Sequence, residues 1–413
     1  MEKAIKTPIP EGAMGISVID EQEINAVTEL LRNPKLLFRH LGYQESNCDA
    51  FERELREKFG VKHALFVSSG TSALACCLTS LEIGPGDEVI VPAYTYIATA
   101  AAVVDVGAVP VIAEIDESLG LDPVDVEAKI TPHTKAIIAV HMQGVPCRLD
   151  ALRGIAKKRG LKLIEDCCQA IGAEYHGKLC GMESDAWAWS LNFFKVITCG
   201  EGGVFFTNSD EGYQRAMYLH DPAILMWESD ARKNVMIPPF SRAGYRGNEL
   251  AAAVVRVQLT KLDRILGKTR SLKKLLIQNL NAPKNYKLQH VDDPDGDCGF
   301  SIALIAETGE LAERFALELA AEGLNIGSVY NGAFPDRHVY SNWDSILNKN
   351  APTKAGYPWK DPAYQGNVQY SRDMCPHTLD ILARSLRFTL NVNMGAVNML
   401  EVADAINKAD ARL

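Results

Sequence analysis

A single lysine, Lys195, stands between an apolar stretch and a glycine-rich turn. Residues 190–195 read Ser-Leu-Asn-Phe-Phe-Lys, and residues 200–203 read Gly-Glu-Gly-Gly. A lysine becomes a nucleophile where an apolar pocket favours its neutral amine, and glycines let a bulky cofactor approach the backbone. The expected chemistry is a Schiff base between Lys195 and an aldehyde cofactor. A solvated lysine at a strand end is the alternative, because most lysines are exposed.

A phosphate-binding segment is predicted at residues 69–72, which read Ser-Gly-Thr-Ser. The segment follows a short buried-strand pattern and opens a run of small apolar residues that is typical of a helix. A helix N-terminus offers free backbone N–H groups and the positive end of the helix dipole, and both favour phosphate binding. Gly70 and Thr71 are therefore candidate phosphate contacts. An ordinary helix cap explains the segment equally well.

Two further segments supply a carboxylate and an aromatic ring. An apolar strand pattern at 161–164 ends in Glu165 and Asp166, and ligands of open α/β sheets bind at the carboxyl ends of strands. Asp166 could pair with a protonated pyridine nitrogen and keep a cofactor ring an electron sink; a helix-capping aspartate is the alternative. Another strand pattern runs into Tyr94 and Tyr96, one of which could stack on a flat ring or pack in the core. These three segments together supply what pyridoxal phosphate requires.

The ordered set of motifs resembles the sugar aminotransferases of the DegT/StrS group, within the aspartate-aminotransferase (fold type I) superfamily of pyridoxal-phosphate enzymes. The resemblance rests on Ser-Gly-Thr at 69–71, Glu-Asp-x-x-Gln-Ala at 165–170, and Ser-x-Asn-x-x-Lys-x-x-x-x-Gly-Glu-Gly-Gly at 190–203. It implies pyridoxal 5'-phosphate as cofactor, L-glutamate as amino donor and a keto-sugar as acceptor. It also implies a homodimer with shared active sites.

The resemblance assigns a role to each matching residue. Lys195 would hold the cofactor through the Schiff base and later carry the proton between substrate carbon and cofactor. The other cofactor contacts would be Asp166 on the pyridine nitrogen, Gln169 on the ring hydroxyl, Tyr96 on the ring face, and Gly70, Thr71 and Ser190 on the phosphate.

One segment departs from the family pattern. The family usually reads Asn-Tyr-Arg-Met-x-Glu, and its asparagine reaches the partner subunit's phosphate; here residues 244–249 read Gly-Tyr-Arg-Gly-Asn-Glu. Because Gly244 has no side chain, Arg242 or Asn248 could make the cross-subunit contact instead. Arg246 and Asn248 are the candidate substrate-binding residues, with Arg246 holding the donor's carboxylate as a bidentate pair. A structural salt bridge between Arg246 and Glu249 is an equal alternative.

The acceptor sugar is open at this point. The spacing around Lys195 and the Cys-Pro-His-Thr-Leu-Asp stretch at 375–380 resemble members that act on 8-keto-octulosonate sugars in amino-sugar and lipopolysaccharide biosynthesis. Nucleotide-linked keto-hexoses and keto-inositols are the alternatives. Sugar dehydratases of the family replace the lysine with histidine, and Lys195 is intact. A non-catalytic regulator would carry a basic helix-turn-helix, and neither terminus has that pattern.

Composition narrows the class of protein. The chain has 413 residues, 47% of them hydrophobic and 23% charged, which is typical of a soluble globular protein. Its length predicts two or three domains, or one large domain with an appendage. A net charge of −9 argues against nucleic-acid binding. No apolar run is long enough for a membrane span, and the N-terminus lacks an apolar signal core, so we expect a cytoplasmic protein. Ten cysteines without a Cys-x-x-Cys favour buried thiols over disulfides or a metal site.

The elements that must position these residues alternate as strands and helices. Strands are predicted at 63–67, 88–91, 109–113, 135–140, 161–164, 186–190 and 203–207. Helices are predicted at 49–59, 71–81, 123–129, 149–159 and 248–266. The predicted fold is α/β, with a mostly parallel seven-stranded sheet sandwiched by helices as in aspartate aminotransferase, and a smaller C-terminal α+β domain. We expect an arm and first helix at 1–40, a large cofactor domain at 41–270, a small domain at 271–413, and a long functional loop at 331–373.

Overall fold

The protein is built on a seven-stranded sheet. The computed structural model describes residues 2–40, 45–227, 233–330 and 335–413. The strands of this sheet are β1 His63–Val67, β2 Glu88–Pro92, β3 Val109–Ala113, β4 Thr134–Val140, β5 Lys162–Asp166, β8 Ala186–Ser190 and β9 Gly203–Thr207. They run in the order β1-β9-β8-β5-β4-β2-β3. Only β9 is antiparallel to its neighbours within this sheet, which confirms the predicted mostly parallel α/β fold.

Helices cover both faces of the sheet. They are α1 Glu21–Arg32, α2 Asn47–Phe59, α3 Gly70–Ser80, α4 Ala98–Val106, α5 Pro123–Lys129, α6 Leu149–Arg159, α7 Asp210–His220, α8 Ile224–Trp227, α9 Glu249–Gln278, α10 Gly309–Ala321, α11 Asp344–Leu347, α12 Pro376–Arg384 and α13 Ala396–Arg412. Short 3-10 turns lie at 16–18, 34–37, 142–144 and 340–342.

Each face of the sheet buries its own core. Along β1, Phe66 packs into one core with Trp187 and Trp189, while Leu65 packs into the other core. This alternation follows from the two-residue period of a strand. β2, β3, β8 and β9 are buried at every residue. A sheet covered on both faces reads as continuous apolar runs, which is why its strands were predictable to within two residues at each end.

The predicted helix at 248–266 is too short. In the structure, α9 is a 30-residue helix that ends at Gln278. Its buried stripe continues beyond residue 266 through Leu272 and Leu276, which enter the C-terminal core. The predicted boundary between the large and small domains at 270 falls inside this one helix, and that division stays a prediction.

The C-terminal part carries a second sheet. β10 (Tyr286–Leu288), β11 (Ser301–Ala306) and β12 (Ser385–Thr389) form three antiparallel strands. They share an apolar core with α10 and α13, which confirms the expected smaller α+β part. The N-terminal arm joins it, since Ala4 is buried there and the Ile5 N–H donates to the Glu322 carbonyl at 3.0 Å. A two-stranded hairpin, β6 (Glu174–Tyr175) and β7 (Lys178–Leu179), completes the strands.

Within the described ranges, no helix is long and apolar enough to cross a membrane. All ten cysteines are free thiols, and most of them are buried. The predicted loop at 331–373 lies partly outside the described residues, because 331–334 are among those not described.

Candidate active site

The candidate cofactor-binding residues meet at one edge of the central sheet. The carboxyl ends of β1, β2, β4, β5 and β8 lie at this edge, which is where ligands bind in open α/β sheets. Two cavities, of about 220 and 340 Å³, adjoin there. Both are lined by Tyr96, Gln169, Asn192 and Lys195. Lys195 thus stands where the two cavities adjoin.

The smaller cavity contains the predicted phosphate site. Ser69 caps α3 by accepting a hydrogen bond from the Ser72 N–H at 3.0 Å, and Gly70 and Thr71 form the first turn of that helix. Ser190, at the end of β8, lies opposite and is buried. A Cβ on Gly70 would lie 2.7 Å from the Ser190 Cβ, so only glycine fits between them. Hydroxyls and helix N–H groups here suit a phosphate.

The Gly-Glu-Gly-Gly turn brings the Lys195 loop against α3. A Cβ on Gly203 would lie 2.2 Å from the Ser69 carbonyl oxygen and 2.8 Å from the Gly70 nitrogen. Both of these atoms belong to the backbone and cannot rotate away. Glycine at 203 is therefore required for β9 to start beside the N-terminus of α3.

Asp166 reaches the smaller cavity from the end of β5. It is only 4% exposed, and both oxygens accept hydrogen bonds: Oδ2 from the Thr99 hydroxyl at 2.8 Å and Oδ1 from the Cys168 N–H at 3.0 Å. Burial, and then the Asp166 carboxylate, raise the pKa of the Cys168 thiol well above its usual value. That thiol is consequently neutral near pH 7 and a poor nucleophile.

A buried cluster of polar side chains stabilises the end of β5 next to Asp166. His141 Nε2 lies 3.0 Å from Glu165 Oε2, and His141 Nδ1 accepts the Cys147 N–H at 3.2 Å. The His141 N–H also donates to the Asp166 carbonyl at 3.1 Å. Although the side-chain ligand atoms of His141, Glu165 and Cys167 lie within 4.8 Å of one another, both histidine nitrogens already have protein partners. We interpret this group as a link between β4 and β5.

Tyr96 and Tyr94 have different environments. Tyr94 is buried, and its hydroxyl accepts a hydrogen bond from Arg387 Nη1 at 2.7 Å. Tyr96 is 49% exposed and lines both cavities. The backbone before Tyr96 is held in place, because the Thr95 N–H donates a hydrogen bond to the His338 carbonyl at 2.9 Å. Of the two aromatics that follow β2, Tyr96 is therefore the one positioned to meet a ligand.

The Lys195 side chain is presented by a tight turn. The Lys195 N–H donates to the Asn192 carbonyl and the Phe194 N–H to Asn192 Oδ1, both at 3.1 Å. The N-terminal arm closes the turn from outside, as the Gly15 N–H donates to the Lys195 carbonyl at 3.1 Å. Within the described part of the chain, Lys195 Nζ has no hydrogen-bond or ion-pair partner. The amine is thus available for reaction.

The larger cavity has walls that the sequence analysis missed. They come from the N-terminal arm, the turn after β4, the start and end of the small sheet, and the long loop: Gly12, Ala13, Met14, Gln143, Phe300, His338, Thr389 and Leu390. These residues carry no recognisable motif. Position at the carboxyl end of β4 is the one signal that could have suggested Gln143.

Arg246 and Asn248 do not line either cavity. Arg246 Nη1 lies 3.1 Å from Asp221 Oδ2, so the alternative salt bridge to Glu249 is wrong. Glu249 is buried and accepts the backbone N–H groups of Asn47 and Cys48 at the start of α2. Asn248 Oδ1 caps α9 by accepting the Ala251 N–H at 2.9 Å.

The chain's class follows from this geometry. A loop lysine beside a helix N-terminus and a buried strand-end carboxylate, on a sheet of this topology, define a pyridoxal-phosphate enzyme of the aspartate-aminotransferase-like fold. Residues 17–355 match the DegT/DnrJ/EryC1/StrS aminotransferase family, and the chain belongs to that family. The predicted family is confirmed, and with it pyridoxal phosphate as the cofactor.

Two curated relatives match part of the chain. GDP-perosamine synthase of Vibrio cholerae is 39% identical over 229 residues, which cover 54% of this chain and 60% of the relative. L-glutamine:2-deoxy-scyllo-inosose aminotransferase of Streptoalloteichus tenebrarius is 46% identical over 176 residues, 42% of each chain. The chain therefore spans less than two thirds of the length of either relative.

Solved structures match over nearly the whole chain. DesV of S. venezuelae, in complex with a ketimine intermediate, has a TM-score of 0.76 and 27% identity, covering 98% of this chain and 100% of that one. An E. coli GDP-4-keto-6-deoxy-D-mannose-3-dehydratase with bound hydrated PLP also has a TM-score of 0.76, covering 97% and 100%. At 18% identity, the dehydratase shares the fold alone.

Proposed function

We propose that the chain is an aminotransferase that moves an amino group from L-glutamate to a keto-sugar. The observation that carries this proposal is the position of Lys195, whose side chain stands where two cavities adjoin. The smaller cavity has the groups that a pyridoxal phosphate needs, and the larger one has room for a substrate. When bound, pyridoxal phosphate supplies an electron sink that stabilises negative charge on the substrate carbon.

The residues of the smaller cavity fit the cofactor's separate parts. Gly70, Thr71 and Ser190 would hold the phosphate with helix N–H groups and hydroxyls. Asp166, fixed by two hydrogen bonds, would pair with the pyridine nitrogen. Tyr96 would lie on the ring face, and Gln169 would contact the ring hydroxyl.

Lys195 would both hold the cofactor and move the proton. Its amine lacks a fixed partner among the described residues, so it is free to swing between the two cavities. General acid–base catalysis requires a group within hydrogen-bond reach of the reacting carbon. The turn at Asn192 and the contact with Gly15 fix the lysine backbone, so that only the side chain moves.

The larger cavity suits a polyhydroxylated acceptor. Gln143, His338 and Thr389 offer hydrogen-bonding groups, and Phe300 and Leu390 give it an apolar side. His338 is held by a 2.7 Å contact between its Nδ1 and Asp336 Oδ1, which leaves Nε2 to form a hydrogen bond with a hydroxyl.

We propose that the acceptor is a keto-sugar, and 8-keto-3-deoxy-octulosonate is one candidate. The stretch at 375–380 was the sequence feature that favoured this octulosonate. Two of its residues, Cys375 and Thr378, are buried and line neither cavity. Nucleotide-linked keto-hexoses and keto-inositols therefore have equal standing, since the matched relatives are named for GDP-perosamine and for an inosose. Intact Lys195 argues against a dehydratase.

Two half-reactions test the proposal. We expect L-glutamate to convert the absorbance of the bound cofactor to the pyridoxamine form and to yield 2-oxoglutarate, with L-glutamine as a second donor arm. A panel of free, nucleotide-linked and cyclitol ketones should then restore the absorbance and identify the aminated product. Borohydride should attach the cofactor at Lys195, and Lys195→Ala should abolish both attachment and turnover. Attachment at another lysine, or a sugar product formed without 2-oxoglutarate, would contradict the proposal.

A further inference from the structure

Gln143 has an unusual backbone conformation at the edge of the active site. It lies in the turn after β4 with φ 56° and ψ 32°. This left-handed region is unfavourable for a residue with a Cβ, and such strain persists where the surroundings over-determine the conformation, as at functional sites. Gln143 is also half-buried and lines the larger cavity beside Lys195.

The segment that leads into β11 clamps this turn. The Ser301 hydroxyl donates to the Gln143 carbonyl at 3.0 Å, and the Cys298 N–H donates to the Gly144 carbonyl at 2.9 Å. Gly144 is also left-handed, and a Cβ there would lie 2.5 Å from the Phe300 ring. The turn is therefore held from the small sheet, and Gln143 has little freedom to relax.

The clamped residue makes two hydrogen bonds to Gln169. Both the Gln143 backbone N–H, at 3.3 Å, and its Nε2, at 3.0 Å, meet Gln169 Oε1. A backbone N–H can only donate, so the atom that it meets must be the carbonyl oxygen of the Gln169 amide. The Gln169 NH₂ group is consequently turned away from Gln143, as a donor for the ligand.

We propose that Gln143 is a positioning residue, which fixes the Gln169 amide so that its NH₂ donates to the hydroxyl oxygen of the cofactor ring. This inference rests on the proposed function of the smaller cavity. The donated hydrogen bond stabilises negative charge on that oxygen. The effect is strongest when the lysine–cofactor linkage has lost its proton, because no positive charge then lies beside the oxygen. Losing the bond should therefore raise the pH at which the lysine–cofactor linkage gives up its proton.

The test compares two variants that differ in backbone strain. Gln143→Ala removes the amide but keeps a Cβ in the left-handed region, whereas Gln143→Gly removes the amide and relieves the strain. Both should raise the pH midpoint of the cofactor's visible absorbance change by about half a unit to one unit, and weaken cofactor binding about 2- to 10-fold. The apo-protein Tm of the glycine variant should equal or exceed that of the alanine variant.

Glu82→Gly provides a matched control for strain. Glu82 has φ 60° in an exposed turn outside both cavities. Relief of strain there should leave the absorbance midpoint and the cofactor dissociation constant at their original values.

The outcomes separate this inference from the function on which it rests. A shifted midpoint in both Gln143 variants, whatever their Tm, supports the positioning role. An unchanged midpoint in both, or a midpoint restored in the glycine variant, overturns it. If borohydride does not attach the cofactor at Lys195 in the unmodified protein, the proposed function fails first.

Discussion

At the scale of single residues, the orientation of the Asp166 carboxylate is fixed by hydrogen bonds within the protein. Each oxygen already accepts one hydrogen bond, from the Thr99 hydroxyl and from the Cys168 N–H. The carboxylate is thus held in one rotamer, with little conformational entropy left to lose on binding. Each oxygen keeps a lone-pair direction for a further hydrogen-bond donor.

Asp166→Asn should keep the fold and the cofactor but slow turnover. The amide oxygen can still accept the Cys168 N–H, and the NH₂ can donate to the Thr99 oxygen, so no buried group is left unpaired. Without the carboxylate, the pyridine nitrogen loses its charged partner, and we expect kcat to fall on the order of 10²–10³-fold. Single-turnover absorbance with L-glutamate would measure this, and a near-normal rate would remove Asp166 from the proposed role.

At the scale of elements, the site depends on the contact between the β8–β9 loop and α3. Lys195 belongs to the loop, and Gly70 and Thr71 belong to the helix. Gly203 lets the two backbones approach, because its missing Cβ leaves space for the Ser69 carbonyl. The glycine turn therefore sets the distance between the candidate lysine and the candidate phosphate site.

Gly203→Ala should push these elements apart. The added Cβ meets backbone atoms at 2.2 Å, so we expect the variant to lose about 1–3 kcal/mol of stability and to bind cofactor more weakly. Gly154→Ala, in α6 with nothing within 4 Å of its Cβ, is the matched control. It should gain about 0.5–1 kcal/mol and bind cofactor normally. Thermal unfolding measures the stability of each variant, and cofactor titration measures its affinity for the cofactor. If the two variants have the same stability and the same affinity, Gly203 does not set the distance between these elements.

At the scale of the whole molecule, one chain provides little positive charge for the phosphate. Among the described residues that line the smaller cavity, Lys195 is the only lysine or arginine. Lys195 is already assigned to the cofactor's aldehyde. A phosphate dianion favours a further donor or cation, and we propose that a second copy of the chain supplies it in a homodimer.

Arg242 is the better of the two candidates for this cross-subunit contact. Asn248 already uses its Oδ1 to cap α9, whereas Arg242 is exposed and contacts the Asp105 carbonyl. We expect Arg242→Ala to weaken cofactor retention. When Lys195→Ala and Arg242→Ala chains are mixed, activity should rise above that of either chain alone, because one hybrid site would contain both side chains.

Gly244 allows a converse experiment. It is exposed with nothing within 4 Å of a Cβ, so Gly244→Asn should be tolerated and should strengthen cofactor retention. Nothing in the described structure explains why residue 244 is glycine where the family usually has asparagine. Full activity in a proven monomer would refute the shared site, and failed complementation would remove Arg242 from it.

Much of the fold and the cofactor side of the site could be predicted from the sequence, because the deciding interactions are local. Buried strands reveal themselves as short apolar runs, and β1, β3, β8 and β9 have the predicted bounds. The Lys195 and Ser-Gly-Thr motifs each lie in one turn at the edge of such a strand. Spacing along the chain therefore specifies their chemistry before any long-range contact forms.

Only the tertiary structure decided which distant groups meet. The larger cavity joins Gln143 to His338 and to the N-terminal arm, each more than a hundred residues away along the chain and without a shared motif. The ion pair of Arg246 with Asp221, in place of Glu249, depends on how a loop packs against the end of α7. Contacts between distant segments leave no periodic pattern in the sequence, and so the sequence alone could specify the lysine but not the walls around its substrate.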